Sequence, residues 1–244
     1  RFANEFKVDD ILGYGAFGIV FEAHNVFDHR KYAFKRISVE PNEKQIERAL
    51  REFETMSPLD HPGIVKCSGA WVENPPMEWQ VGIIYIDVNT FTNCHLFSHH
   101  SFKKTTLIYI QMELCIFNSL GEWLKHQDDA PREIPRMVSW FKQMVEAVAY
   151  IHEKGLIHRN LKPSNILFTD VDHLKICDLG LATGLVLKNG DEVSNTYTNC
   201  GTPLYMAPEQ GHWKYTSKVD VFTLGLILVE LCIPMNAAVR KQVF

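Results

Sequence analysis

The apolar residues of this 244-residue chain fall mainly in strand-like runs in the front part and at helical spacing in the back part, and that division limits the fold more than any other feature. The front part reads as strands. "DDILGYGAFGIVFEAHN" is a glycine-punctuated strand pair, and "KYAFKRISV" is a third strand rich in β-branched and aromatic residues. In "NEKQIERALREFETMSPL" the period shifts: Ile46, Leu50, Phe53 and Met56 recur at helical spacing, and Pro58 closes the run. "GIVKCSGAWVE" and "TTLIYIQMELC" are two further strands. From "NSLGEWLKHQ" onward the pattern is mainly helical, and "PRMVSWFKQMVEAVAYIHEKG" is a long amphipathic helix that Gly155 ends. The expectation is an α+β chain in two parts. Residues 1–114 form an antiparallel five-stranded front part with one main helix, residues 115–244 a mainly helical back part, and a cleft between two such parts is a natural ligand site.

One stretch breaks the pattern. Residues 74–104 open with Asn74-Pro75-Pro76 and are long for a strand connection, which points to a functional or mobile insert. Its His95, His99 and His100 are a conceivable metal trio, but no acidic or cysteine ligand stands at supporting spacing, so solvated loop histidines are the stronger reading. The six cysteines are scattered, with no CxxC pair, and read as small buried hydrophobes in a reducing compartment. A net charge of −4 argues against a nucleic-acid coat or a membrane-adherent surface. The most apolar run, "VDVFTLGLILVELCIP", holds Asp220 and Glu230 and is too short to span a bilayer. No signal-peptide core opens the chain. A cytosolic segment is expected, with no nucleic-acid partner and no membrane contact of its own.

Several short motifs carry chemistry. "GYGAFGIV" places Gly13, Gly15 and Gly18 before Val20, so that backbone N–H groups can approach phosphates without Cβ collisions. A strand follows it, not a helix, which argues against a dinucleotide-binding turn. Lys35, in the next strand, suits phosphate charge and needs a carboxylate to hold it; Glu52 on the following helix is the candidate. Alone, each would be an ordinary surface residue. Further on, "LIHRNLKPSNILF" contains His158, Arg159, Asn160, Lys162 and Asn165. "CDLG" follows with Asp178, then "GTPLYMAPEQ" with Thr202 and Glu209.

In this order and context the set resembles the protein kinase domain, over essentially the whole chain. "LDHPGIV", "IYIQMELC", "LKPSNILF" and "SKVDVFTLGLILVELCIPM" resemble the kinases that phosphorylate the alpha subunit of translation initiation factor two. "WVENPPMEWQ" looks most like the endoplasmic-reticulum member of that group, while "AFG" also suits its amino-acid-starvation member. The resemblance implies a bilobal kinase fold that uses ATP and Mg²⁺. Leu12, Val20, Ala33 and Leu167 would enclose the adenine, with Met112 behind it and the backbone of Glu113 and Cys115 at its edge. Lys35 and the glycine loop would meet the phosphates, and Asn165 and Asp178 would hold Mg²⁺. Lys162 would face the transferred phosphate, and Asp220 would anchor the catalytic loop. A phosphate on Ser194, Thr196, Tyr197 or Thr198 would pair with Arg159, and Thr202 matches a threonine that the group autophosphorylates. Arg1 and Glu5, four apart, would bridge two front lobes in a homodimer; the plainer reading is a weak helical ion pair within one chain. The segment would be the cytoplasmic domain of an endoplasmic-reticulum membrane protein, with the initiation-factor subunit as its substrate.

Three departures matter. Asn160 stands where the resembled family has the aspartate that takes the substrate proton. An amide has the same shape but is a very poor base. All other groups of the set are present, which points to an inactivating substitution in an otherwise intact kinase; the alternative is a natural pseudokinase that binds nucleotide and dimerises. Leu179 replaces a phenylalanine and stays apolar. The chain stops at Phe244, before the last helices of the resembled back lobe.

Overall fold

The computed structural model describes residues 1–15, 18–74, 105–115, 118–126, 131–188, 191–194, 201–211, 215–235 and 239. The histidines of the insert, and Thr196, Tyr197 and Thr198, lie outside these residues. The chain groups into two compact units, Arg1–Phe53 with Cys67–Leu114, and Glu54–Lys66 with Cys115–Phe244. Glu54–Lys66 goes with the second unit because its backbone bonds there: Ile176 N–H donates to Gly63 O at 2.8 Å and Val65 N–H to Ile176 O at 2.9 Å.

The first unit is a five-stranded antiparallel sheet of β1 (Phe6–Gly15), β2 (Gly18–Asn25), β3 (Lys31–Val39), β4 (Cys67–Glu73) and β5 (Thr106–Glu113), in the order β1-β2-β3-β5-β4. Side chains alternate across a strand, so the register sorts them onto two faces. One face carries Phe21, Phe34 and Tyr109, which join Phe2, Phe6, Ala23 and Leu107 in an apolar core with Trp71 packed against it. Phe2 comes from a short helix, α1 (Phe2–Glu5), and stacks on Tyr109 with centroids 4.7 Å apart. At the β1–β2 turn Gly18 has φ 132°, and a Cβ there would collide with the Arg36 carbonyl oxygen of β3. α2 (Glu43–Met56) follows β3 and buries Glu52 and Met56.

The second unit holds α3 (Leu120–Lys125), α4 (Ile134–Glu153) and α5 (Lys218–Cys232), with short strands and 3₁₀ turns. Ser119 caps α3, its Oγ accepting from Glu122 N–H. α4 buries Met137, Trp140, Met144, Ala147, Val148 and Ile151, a stripe at helical spacing. It ends where Gly155 turns to φ 71° and donates to His152 O at 2.9 Å. α5 is apolar on most sides and buries Asp220 and Glu230 among Val219, Leu224, Ile227 and Leu231. β6 (Leu156–Ile157) pairs with β9 (Thr183–Lys188), which pairs with β10 (Asp191–Ser194); β7 (Ile166–Phe168) pairs with β8 (Leu174–Ile176). The β9–β10 pair goes beyond what the sequence reading anticipates. Asn189-Gly190 between "LVLK" and "DEVS" is the hairpin signal that would have found it.

The aromatic core sets the stability of the first unit. Phe34 is fully buried and touches Phe2, Phe6, Phe21, Tyr32 and Trp71. Phe34→Ala is expected to cost about 3–5 kcal/mol of unfolding free energy, read from the urea midpoint at unchanged m value.

Candidate active site

β3 presents Lys35 on the sheet face opposite the aromatic core. Residues paired across strands share a face, as do residues two apart along one strand. Val20 opposes Lys35, and Ala33 opposes Met112, which also opposes Cys67. One face therefore carries Val20, Ala33, Lys35 and Met112. Lys35 is 8% exposed and Glu52 7%. The Lys35 ammonium donates to both Glu52 oxygens, at 2.8 and 2.6 Å. Breaking an enclosed pair like this costs about 3–5 kcal/mol, because one charge is left buried and uncompensated. Burial beside Glu52 pushes the Cys67 thiol up to about 12, so this cysteine is a packing group.

The glycine turn is partly described. Gly13 opposes Val20 and Gly15 opposes Gly18. Leu12 is exposed on β1, and Glu113 ends β5 opposite Tyr32. Cys115 and Leu167 belong to the second unit and are half-buried, Leu167 opposite Lys175.

In the second unit a buried carboxylate organises the loop after β6. Asp220 on α5 is 0% exposed. Its Oδ2 accepts from His158 N–H at 2.8 Å and its Oδ1 from Arg159 N–H at 2.9 Å, and His152 Nε2 lies 2.8 Å from Oδ2. Arg159 takes φ 65°. Its Nε donates to Leu181 O at 2.6 Å and its Nη1 to Tyr215 Oη at 3.0 Å. The guanidinium expected to meet a phosphate thus already holds a carbonyl and a phenol.

His158 is neutral, as its bonds require. Asn160 N–H donates to His158 Nδ1 at 3.2 Å, so Nε2 carries the proton, and it faces Cys177 O at 3.2 Å. Burial holds the His158 pKa below the usual imidazole value, outweighing the opposite pull of Asp220 and Asp178.

Asn160, Asn165, Asp178 and Thr202 come together. The Asn165 amide donates to Asn160 O at 2.9 Å and lies 3.4 Å from Asp178 Oδ2. The Asn160 amide nitrogen also lies 3.4 Å from that oxygen, while Thr202 Oγ1 donates to Asn160 Oδ1 at 3.2 Å. Asp178 adopts φ 64°, a left-handed geometry rare outside glycine, asparagine and aspartate. Lys162 lines a cavity of about 140 Å³ with Ser164, Tyr205 and Glu230. A carboxylate and an amide oxygen are the donors that suit a hard divalent cation, so Asp178 and Asn165 fit Mg²⁺. Sequence reasoning missed the supports His152, Gln210 and Tyr215. Gln210 donates to Arg159 O at 3.3 Å. These partners stand 68, 51 and 56 residues from the groups they hold, and no local pattern marks them. At the other end of the chain, Arg1 Nε lies 3.2 Å from Glu5 Oε2 within one chain, and its guanidinium sits 4.2 Å above Trp71.

Comparison with known proteins places this geometry. The family described as protein kinase domain matches residues 6–241. The interferon-induced, double-stranded RNA-activated protein kinase of Rattus norvegicus is 38% identical over 233 residues, which is 95% of this chain and 41% of the relative. The eukaryotic translation initiation factor 2-alpha kinase pek-1 of Caenorhabditis elegans is 24% identical over 429 residues, 99% of this chain and 40% of that protein. The eukaryotic translation initiation factor 2-alpha kinase 3 of Bos taurus is 42% identical over 144 residues, 55% of this chain and 13% of that protein. The chain therefore spans well under half of these relatives.

The neutral His158 has a consequence for stability. Its folded pKa lies below its unfolded value of about 6.5, so above that pH neither state binds a proton there. Below it the unfolded chain takes up a proton that the folded chain refuses, and stability falls with pH. His158→Asn should remove this dependence, about 0.7 kcal/mol per pH unit at pH 6.5 and approaching about 1.4 kcal/mol per pH unit about a unit lower while the folded ring stays neutral, measured by urea unfolding across that range.

Proposed function

Because the chain belongs to the protein kinase family, we propose that its chemistry is transfer of the ATP γ-phosphate to a serine or threonine of the alpha subunit of translation initiation factor two. The observation that carries this is the enclosed Lys35–Glu52 pair, a cation held ready on the same sheet face as Val20, Ala33 and Met112. The substrate is supported by the names of the relatives, two of which are initiation factor 2-alpha kinases. In this reading Gly13, Gly15 and Gly18 cover the phosphates and Lys35 contacts them. Leu12, Val20, Ala33, Met112 and Leu167 bound the adenine, and the backbone of Glu113 and Cys115 binds its edge. Asn165 and Asp178 hold Mg²⁺, which when bound offsets the charge of the phosphate oxygens. Lys162 meets the group being transferred, and Thr202 orients residue 160 from across the loop.

Asn160 occupies the position of the base. Its amide accepts a hydrogen bond but takes no proton at neutral pH, so the site orients the acceptor hydroxyl without deprotonating it. The chain as written is therefore an impaired kinase that keeps its nucleotide.

The resemblance of "WVENPPMEWQ" supports the endoplasmic-reticulum branch, PERK, and hence a cytoplasmic domain of a reticulum membrane protein. No helix among the described residues is long and apolar enough to cross a membrane. The double-stranded RNA-activated kinases match over more of the chain than initiation factor 2-alpha kinase 3 does, and the branch rests on that short stretch. A homodimer through Arg1 and Glu5 completes the proposal. Both side chains are exposed or half-exposed, and an exposed ion pair is weak enough to exchange its partner for the same pair on a second copy.

Two measurements test this. Asn160→Asp should raise phosphate transfer to the initiation-factor subunit by about 10²–10⁴-fold. Transfer that stays at background while Mg·ATP still raises the unfolding midpoint would favour a natural pseudokinase. Arg1→Glu should make the protein monomeric in sedimentation, and an unchanged dimer would refute the contact.

A further inference from the structure

Asn160 does more than withhold a base. An ionised carboxylate only accepts hydrogen bonds, so the Asn160 atom that lies 3.4 Å from Asp178 Oδ2 is the NH₂ nitrogen. The amide oxygen therefore faces Thr202, whose hydroxyl donates to it at 3.2 Å. Asn165 brings a second amide NH₂ to the same Asp178 oxygen, also at 3.4 Å. Asn160 and Asn165 are both buried. Asp178 is thus met by two neutral amides that turn their positive ends toward its Oδ2.

A carboxylate on the atoms of Asn160 would change this balance. It would set a second negative oxygen where a partly positive NH₂ now stands, 3.4 Å from the Asp178 oxygen. Like charges that close repel strongly in a partly desolvated site and call for a counter-cation. A triphosphate adds more negative charge at the same place. A two-carboxylate site would admit it well only with divalent metal present, whereas the one-carboxylate site of this chain lacks half of that repulsion. We propose that Asn160 turns this into a nucleotide site with a weak divalent-cation requirement, one that takes ATP nearly as well without Mg²⁺ as with it. The proposal rests on the ATP reading above and concerns binding alone.

The charge is what acts here, not the bridge to Thr202, and the two are separable. Asn160→Ala keeps the site neutral and removes the bridge; Asn160→Asp keeps the shape and restores the charge. The experiment is calorimetric titration of ATP into the wild-type chain and both variants, once with excess Mg²⁺ and once with EDTA. Thermal unfolding without nucleotide first establishes that each is folded. The expected result is a loss of less than about threefold in affinity on chelation for wild type and Asn160→Ala, against at least about tenfold for Asn160→Asp. The wild-type arm decides by itself if Asn160→Asp does not fold. A tenfold or larger loss in wild type overturns the proposal and leaves the ATP reading standing. No binding by the folded wild type with Mg²⁺ overturns the ATP reading and this inference with it.

Discussion

A carboxylate with no exposed surface, Asp220, stands behind the loop that carries the candidate site residues His158, Arg159 and Asn160. Two backbone N–H groups donate to it, and the His152 ring reaches it from α4. Without those donors an enclosed charge would be untenable; with them it becomes a rigid anchor. The anchor matters because the loop is not relaxed. Arg159 and Asp178 both sit at positive φ, and a non-glycine residue there costs about 1–3 kcal/mol unless its surroundings impose it. The surroundings do. Arg159 is gripped through its N–H, its carbonyl and its guanidinium by Asp220, Gln210, Leu181 and Tyr215. Asp178 follows Cys177, whose N–H is bonded to Asn165 O at 2.9 Å.

The first unit solves a different problem. One sheet must hold a large aromatic core and also keep a charged lysine out of water. Strand alternation separates the two tasks: Phe34 points to the aromatic side, and its neighbours Ala33 and Lys35 point to the other. A slip of one residue in the β3 register would exchange them, burying an ammonium among phenylalanines. The Glu52 carboxylate, delivered by α2 from seventeen positions further on, makes the lysine tolerable where it stands.

Asn160 fits its surroundings through bonds that an amide can make. Its amide keeps its hydrogen bonds to Thr202 and its approach to Asp178, and its backbone carbonyl still holds Asn165. Nothing in the packing penalises it. What differs is one unit of charge and one acceptor for a proton. In the proposed function that combination is what would separate the holding of a nucleotide from its use.

Much of this was legible in the chain itself. The third strand, the α2 helix with Glu52 and the helix ended by Gly155 follow from apolar period and cap residues, because those are local properties of consecutive side chains. The glycines, Lys35, Asn165 and Asp178 were readable because each has a distinctive neighbourhood of sequence. Other features were not. The order β1-β2-β3-β5-β4, the attachment of Glu54–Lys66 to the second unit, the tautomer of His158 and the grip of Tyr215 and Gln210 on Arg159 join residues far apart in the chain. Apolar period and cap residues determined which elements exist, and the short motifs named the candidate site residues. Only the tertiary structure decided which of those residues meet, because hydrogen bonds and buried charges answer to distance in space and not to separation in sequence.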